Sequence, residues 1–243
     1  ILMEKRKALS IREVTSTNVT LYDILKNDIQ DIVTREKEKI EHQRLPLNLD
    51  FSEFCDLFIL FGSYNFKRQN QQHDFVIDAN NEFIIKQLYL YIKNDSSFDG
   101  DLNKGIMLQG KYGCGKTAIL ETYTLLHNHM ILRFGIPISL FTFIKSVNLQ
   151  EQLMKQSIQS FTYKPLVIDE FGRESKTIQD YGNILRPISE LLSVRLDIGA
   201  VTHGTTNFTL ETLASNDFYG GMIGDRLKMM FNFITLQGDS RRK

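Results

Sequence analysis

Gly105-Ile106-Met107-Leu108-Gln109-Gly110-Lys111-Tyr112-Gly113-Cys114-Gly115-Lys116-Thr117 is a short apolar run that passes directly into a loop of the form GxxxxGK[ST]. A helix is predicted next, over Lys116 to Met130. Strand, glycine-rich loop and helix in this order form a phosphate-binding element, and each residue type has a physical task. The glycines let successive backbone N–H groups converge on phosphate oxygens, and the first helical turn adds its dipole. Lys116 is a flexible cation suited to β and γ phosphate oxygens, and Thr117 offers a hydroxyl to Mg²⁺, which shares its shell with phosphates and water. The residues expected around the phosphates are Gly110, Lys111, Tyr112, Gly113, Cys114, Gly115, Lys116, Thr117 and Ala118, with ATP and Mg²⁺ as cofactors. Cys114 reads as a small loop residue rather than a redox centre.

Fifty residues downstream, Leu166-Val167-Ile168-Asp169-Glu170 is an apolar strand ending in two carboxylates. Asp169 at the strand end suits the metal. Adjacent strand residues face opposite ways, so Glu170 is expected to escape the metal and polarise an attacking water. Val201 to Asn207 is a strand with a polar end, where Asn207, or Thr206 beside it, can hold that water by hydrogen bonding. Arg226 lies on a helix predicted over Gly221 to Met230. It reads either as an arginine offered to the γ-phosphate of a neighbouring subunit or as a surface salt-bridge residue.

Outward from these motifs, strands are predicted at Gly105 to Gln109, Ile138 to Phe143, Leu166 to Asp169, Ala200 to Thr206 and Phe233 to Leu236. Helices are predicted at Lys116 to Met130, Leu149 to Ser160, Tyr181 to Asp197, Leu210 to Ala214 and Gly221 to Met230. Pro187 lies inside the third of these helices and should kink it. Alternation of short strands with helices argues for a parallel sheet flanked by helices. Before residue 100 the pattern is helical. Leu21, Ile24, Leu25, Ile29, Ile32, Val33 and Ile40 recur at helical spacing behind a Thr20 cap, down to Arg44. Ser52 to Phe61 reads as a second helix and Asn80 or Asn81 as the cap of a third, with Asn65 to Asp74 a polar loop and Asn94 to Lys104 a polar separator. The chain therefore divides into a helical region, 1–100, and an ATPase core, 101–243.

The 243 residues carry 29 Lys+Arg against 29 Asp+Glu, and 42% are hydrophobic. Such a chain buries a core without staples, and any nucleic-acid contact must come from a local patch. Cys55 and Cys114, far apart and without metal-ligand spacing, exclude a disulfide framework. No apolar run approaches the ~18 residues of a membrane span, so the chain reads as cytoplasmic. Among the histidines, His203, inside a strand, reads as a satisfied core residue.

The order of the phosphate loop, VIDE, TTN, GDRL and a closing GDSRR resembles the AAA+ ATPases of the bacterial and phage helicase-loader (DnaC-like) group, close to the transposition-helper (IstB) ATPases. The resemblance covers about residues 100 to 243. It implies an α/β fold of the ASCE P-loop NTPase type, with a five-stranded parallel sheet in the order 5-1-4-3-2 and no helical lid after the last strand. In that pattern Asn207 matches sensor 1, Arg226 the arginine finger, and Arg242 or Arg241 a sensor 2-like arginine. The implied activity is ATP hydrolysis to ADP and phosphate in a nucleotide-dependent homo-oligomer whose partners are a replicative helicase and single-stranded DNA. The helical region is then a candidate partner-binding module. A transposase-regulating ATPase uses the same site on a different partner, and a small-molecule P-loop kinase is the reading from another class. Against the kinase stands Glu170, placed to activate water.

Overall fold

The computed structural model describes residues 20–42, 45, 48–175, 178–180 and 183–241. The chain forms two compact units, divided between Arg44 and Leu45. The first contains helix α1 (Leu21–His42). Thr20 opens it as expected, because its hydroxyl and backbone N–H both bond the Asp23 carboxylate while Asp23 N–H returns a bond to the Thr20 hydroxyl. These bonds hold the Asp23 carboxyl below its usual range. Leu21, Leu25, Ile29, Ile32 and Val33 form an exposed apolar stripe.

The second unit begins with α2 (Phe51–Arg68) and α3 (Glu82–Ile92). Asp50 and Glu53 close a reciprocal capping box at the start of α2. This helix runs about two turns past the predicted end at Phe61, absorbing part of the expected Asn65 to Asp74 loop. Buried Asn65 is tolerated there because its side-chain carbonyl accepts from Arg68 Nη2 at 3.0 Å. Asn81 takes the N-cap position of α3 without a side-chain bond to the helix, and its amide instead braces the preceding turn through Asp78 N and Val76 O.

The remaining elements are β1 (Gly105–Gln109), α4 (Lys116–Phe134), β2 (Thr142–Lys145), α5 (Ser146–Lys155), α6 (Gln159–Thr162), β3 (Leu166–Phe171), β4 (Ile178–Asp180), β5 (Asn183–Leu185), α7 (Pro187–Asp197), β6 (Thr202–Thr206), α8 (Leu210–Leu213), α9 (Gly221–Met230) and β7 (Phe231–Thr235). Five strands pair in parallel in the order β2-β3-β6-β1-β7, which is the 5-1-4-3-2 order of the P-loop NTPase fold counted along the central strands. Strands buried on both faces read as continuous apolar runs. In β1, Ile106 and Leu108 enter the core formed with α2, α3 and α4, whereas Met107 enters the opposite core, with Leu191 of α7 and Leu227 of α9. Phe54, Phe58, Ile84 and Leu88 share the first of these cores. Across the composition shift near residue 100, α2 and α3 share one hydrophobic core with β1 and α4. Tyr91 seals the expected separator, donating to Lys104 O at 2.9 Å.

Three expectations are corrected. The second strand lies at Thr142–Lys145 rather than Ile138 to Phe143, because Phe141 is held to α4 by a two-way hydrogen bond with the Asn128 amide, both contacts 2.9 Å. Within the helix predicted from Tyr181, Asn183–Leu185 is instead strand β5, paired antiparallel with β4, while Tyr181 and Gly182 lie outside the described residues. Pro187 does not kink a helix but begins α7, where its missing N–H costs no hydrogen bond. His203 is a core residue as expected, its Nδ1 accepting from Ile106 N–H at 2.9 Å between β6 and β1. Among the described residues no helix is long and apolar enough to cross a membrane.

Candidate functional site

The C-terminal ends of β1, β3 and β6 lie side by side, and in open α/β sheets the crevice beyond such ends is where ligands bind. Here it is a cleft of about 1540 Å³. The phosphate loop is its floor. Gly113 has φ +78°, and a Cβ added there would fall 2.3 Å from the Ser240 hydroxyl, so only glycine fits between the loop and the chain's final segment. Gly115, with φ +109°, caps α4 and turns the first helical N–H groups toward the cleft.

Lys116 is buried, and burial draws its pKa down from the ordinary lysine value. Its ammonium donates to Gly110 O at 2.8 Å, Lys111 O at 2.7 Å and Asn207 Oδ1 at 2.7 Å, so its three hydrogens are all engaged. Asn207 is thus brought to the site from the end of β6, but its carbonyl oxygen meets Lys116 rather than Glu170. Asp169 Oδ1 accepts from Thr117 at 2.8 Å and from Thr205 at 2.6 Å, while Oδ2 is buried without a protein partner. Burial pushes the Asp169 carboxyl up against the opposing effect of those two hydroxyls. An orphaned carboxylate oxygen beside the Thr117 hydroxyl fits Mg²⁺, a hard cation that takes oxygen ligands and fills its shell from phosphate and water.

Glu170 does not follow the regular alternation on which its expected direction rested. The β3–β6 ladder shifts register between Ile168 and Phe171, and Glu170 has φ +61°, a left-handed conformation uncommon outside glycine. Glu170 still lines the cleft, and its carboxylate is ion-paired with Arg173. Arg226 stands away from the cleft lining, on α9, bonded to Asp197 Oδ1 at 3.2 Å and Ser193 O at 3.4 Å. Arg241 is at the cleft: its backbone N–H donates to Gly113 O at 3.0 Å and its guanidinium to Asp78 Oδ1 at 2.8 Å. Arg242 lies outside the described residues.

Sequence reasoning missed several residues of this site. Thr205, one position before the candidate Thr206, is the hydroxyl that reaches Asp169, whereas Thr206 bonds Phe171 O at 3.0 Å. Alternation along β6 separates the two faces, and only the neighbouring strand shows which face meets Asp169. Phe66 and His73, ring centroids 4.7 Å apart and nearly parallel, form part of the wall facing the phosphate loop. That wall comes from the stretch read as a loop, with no motif to mark it.

No protein-family profile matches the sequence, and no curated protein matches it. Among solved structures, the chain is similar to DnaI at 21% identity, over 69% of this chain and 87% of that one, with a TM-score of 0.49. It is similar to the DnaC helicase loader at 18% identity, over 67% of this chain and 93% of that one, again at 0.49. AMPPCP-bound DnaA from Aquifex aeolicus follows at 13% identity, over 68% and 49%, with a TM-score of 0.47.

Proposed function

We propose that this chain is an ATP-hydrolysing assembly switch of the AAA+ type that loads a replicative helicase onto single-stranded DNA during DNA replication. The observation that carries the nucleotide part is the Asp169 carboxylate, one oxygen fixed by Thr117 and Thr205 and the other buried and unpartnered beside the buried Lys116 ammonium. Thr117 and Asp169 would hold Mg²⁺, which when bound draws charge from the β and γ phosphate oxygens. Lys116 reads the phosphate by exchanging neutral carbonyl acceptors for anionic oxygens, an exchange its charge favours in a partly desolvated site. Asn207, bonded to the same ammonium, is carried along with that exchange. Glu170 accepts the proton of the attacking water at its carboxylate once it parts from Arg173.

Arg226 completes the site from a second copy. On its own chain it is engaged with Asp197 and Ser193 and lines no part of the cleft. Binding of ATP then favours association and hydrolysis loosens it, which makes nucleotide state the control of partner release. The helicase and single-stranded DNA enter from the motif order, loop, VIDE, TTN, GDRL and GDSRR, and α1 with its exposed apolar stripe is the partner-binding module.

Phosphate release from Mg-ATP tests the first half. Lys116→Ala should lose nucleotide affinity or turnover, and Glu170→Gln should retain binding while turnover falls. Turnover that requires an added phosphoryl acceptor would replace the ATPase by a kinase. Capture of purified hexameric helicase, with a transposase as the alternative bait, tests the second half: retention of the transposase alone would overturn the loader reading.

A further inference from the structure

The turn that presents Glu170 is held in an unfavourable backbone conformation, and the groups that hold it extend beyond the cleft. Glu170 N–H donates to Thr205 Oγ1 at 2.9 Å and Glu170 O accepts from Ser146 Oγ at 2.8 Å. Two residues on, Gly172 has φ +87° and is pressed so closely on Phe208 that an added Cβ would lie 2.9 Å from its ring. Gly172 N–H donates to Glu174 Oε2 at 3.0 Å, and the other Glu174 oxygen accepts from the Tyr219 hydroxyl. Glu174 and Tyr219 are only 7% and 8% exposed. A buried carboxylate is costly unless its oxygens are satisfied, and this one accepts from the Gly172 amide and the Tyr219 phenol. Burial and the adjacent Glu174 charge push the phenol well above the usual tyrosine range, so it stays a donor.

We infer that Tyr219 is a positioning residue for Glu170: through Glu174 and Gly172 it fixes the left-handed turn that aims the Glu170 carboxylate into the cleft. The inference rests on the ATPase reading for its kinetic consequence. Strained conformations persist where surrounding contacts over-determine them. Removing the phenolic hydroxyl leaves Glu174 with one buried oxygen unpaired, and its relief is to turn toward water. That turn releases the Gly172 amide and lets Glu170 relax toward an ordinary φ. The bonds that Tyr219→Phe disturbs, Tyr219 to Glu174 and Glu174 to Gly172, include no atom of Lys116, Thr117, Asp169 or the loop amides, so nucleotide affinity should stay at the parental value. Tyr219 also stands two residues before α9, and the same bonds therefore tie the Glu170 turn to the helix carrying Arg226.

Tyr219→Phe in the 243-residue chain tests this. Nucleotide affinity should be unchanged while kcat falls about 10- to 100-fold, the range in which small misplacements of a reacting group register. In a Glu170→Gln background the same change should cause no further loss, because the two act through one group. Glu174→Gln, which still offers a carbonyl to Gly172, should retain turnover within about threefold, whereas Glu174→Ala should match Tyr219→Phe. Parental kcat in Tyr219→Phe, an equal loss of nucleotide affinity, or a full additional loss on Glu170→Gln overturns the inference. Amide hydrogen exchange gives a readout independent of turnover: residues 170–174 should exchange faster in Tyr219→Phe with the phosphate loop unchanged. Unchanged protection of that turn overturns the positioning role even if the parent chain proves to hydrolyse nothing, an outcome that would by itself refute only the ATPase reading.

Discussion

Thr205→Val isolates one buried hydroxyl at the centre of the site. The side chain keeps its shape and its β-branched fit to β6, but the oxygen that donates to Asp169 Oδ1 at 2.6 Å and accepts from Glu170 N–H at 2.9 Å is gone. Thr205 is 1% exposed, so water cannot replace it without local opening. A hydrogen bond to an ionised acceptor contributes about 1.5–3 kcal/mol, and a backbone donor left unpaired adds about 1 kcal/mol. Together these give a destabilisation of roughly 3 kcal/mol, which for a chain of this size lowers Tm by about 6–12 °C. Thr206→Val is the matched control, since its hydroxyl bonds only neutral backbone groups, Phe171 O and Phe208 N–H, and about 1 kcal/mol is expected there. Scanning calorimetry of the nucleotide-free chains measures both, and single-turnover phosphate release follows the chemistry. Thr205→Val should also slow hydrolysis, because Glu170 loses its backbone anchor, while Thr206→Val should hydrolyse at nearly the parental rate. Equal Tm losses in the two variants would refute the claim that Asp169 depends on Thr205, and unchanged hydrolysis in Thr205→Val would refute the anchoring of Glu170.

Arg226→Ala removes an arginine whose own ion pair is solvent-accessible, so Tm should shift little while hydrolysis falls by about 10³- to 10⁵-fold. Mixing it with Lys116→Ala, which has a disabled site but an intact Arg226, should restore part of the turnover; absence of recovery in the mixture would refute action in trans. Asp78→Asn should reduce stability by less than about 1 kcal/mol at neutral pH, since the Asp78–Arg241 pair is partly solvent-screened. The Arg241 guanidinium holds the Asp78 carboxyl below its ordinary value of 3.8, so this contribution is present above that pH and lost as pH falls through the lowered value. A difference between parent and variant that grows on acidification would contradict it. Arg195→Leu should be the most destabilising of the set, by about 3–5 kcal/mol, because the wholly buried guanidinium serves the carbonyls of Phe161, Thr162, Lys164 and Val201 and the Thr202 hydroxyl at the edge where β3 and β6 begin. Chemical denaturation measures it, and a loss under about 1 kcal/mol would refute the assignment.

The parts of the fold legible in the sequence are those where one residue type has one physical use. The glycines and Lys116-Thr117 mark a phosphate loop, the apolar run into Asp169 marks a buried parallel strand, and α9 occupies the predicted Gly221–Met230. Where a pattern serves two structures equally, the reading fails. Within Tyr181 to Asp197, Ile184, Leu185 and Ile188 satisfy a helical period as well as they do a strand followed by a helix, and Pro187, which distinguishes the two, begins the helix instead of lying inside it. Helical spacing in α2 and α3 shows which positions are buried but not against what. The Phe54–Tyr89 ring pair joins α2 to α3, and the core that both helices share with Ile106 and Leu108, together with the Tyr91 bond to Lys104 O, ties them to the sheet.

The candidate site divides along the same line. Lys116, Thr117 and Asp169 are positioned by regular elements, a helix N-terminus and a strand end, and regular elements are what periodicity describes. Glu170 is positioned by an irregularity. Strand alternation sends it away from Asp169, yet the register shift in β3 and the left-handed turn bring its carboxylate back to the same cleft. Such a turn cannot be read from Glu170 itself, because glutamate has no preference for positive φ and its neighbours in sequence do not impose one. It is held by Ser146 and Thr205, 24 and 35 residues away in sequence, and by Glu174, which is itself paired with Tyr219 a further 45 residues on. The motif names the carboxylate proposed to activate water, while part of its setting comes from Ser146 and the Glu174–Tyr219 pair, which belong to no motif, and substitutions at Glu174 or Tyr219 should lower turnover while leaving nucleotide binding intact.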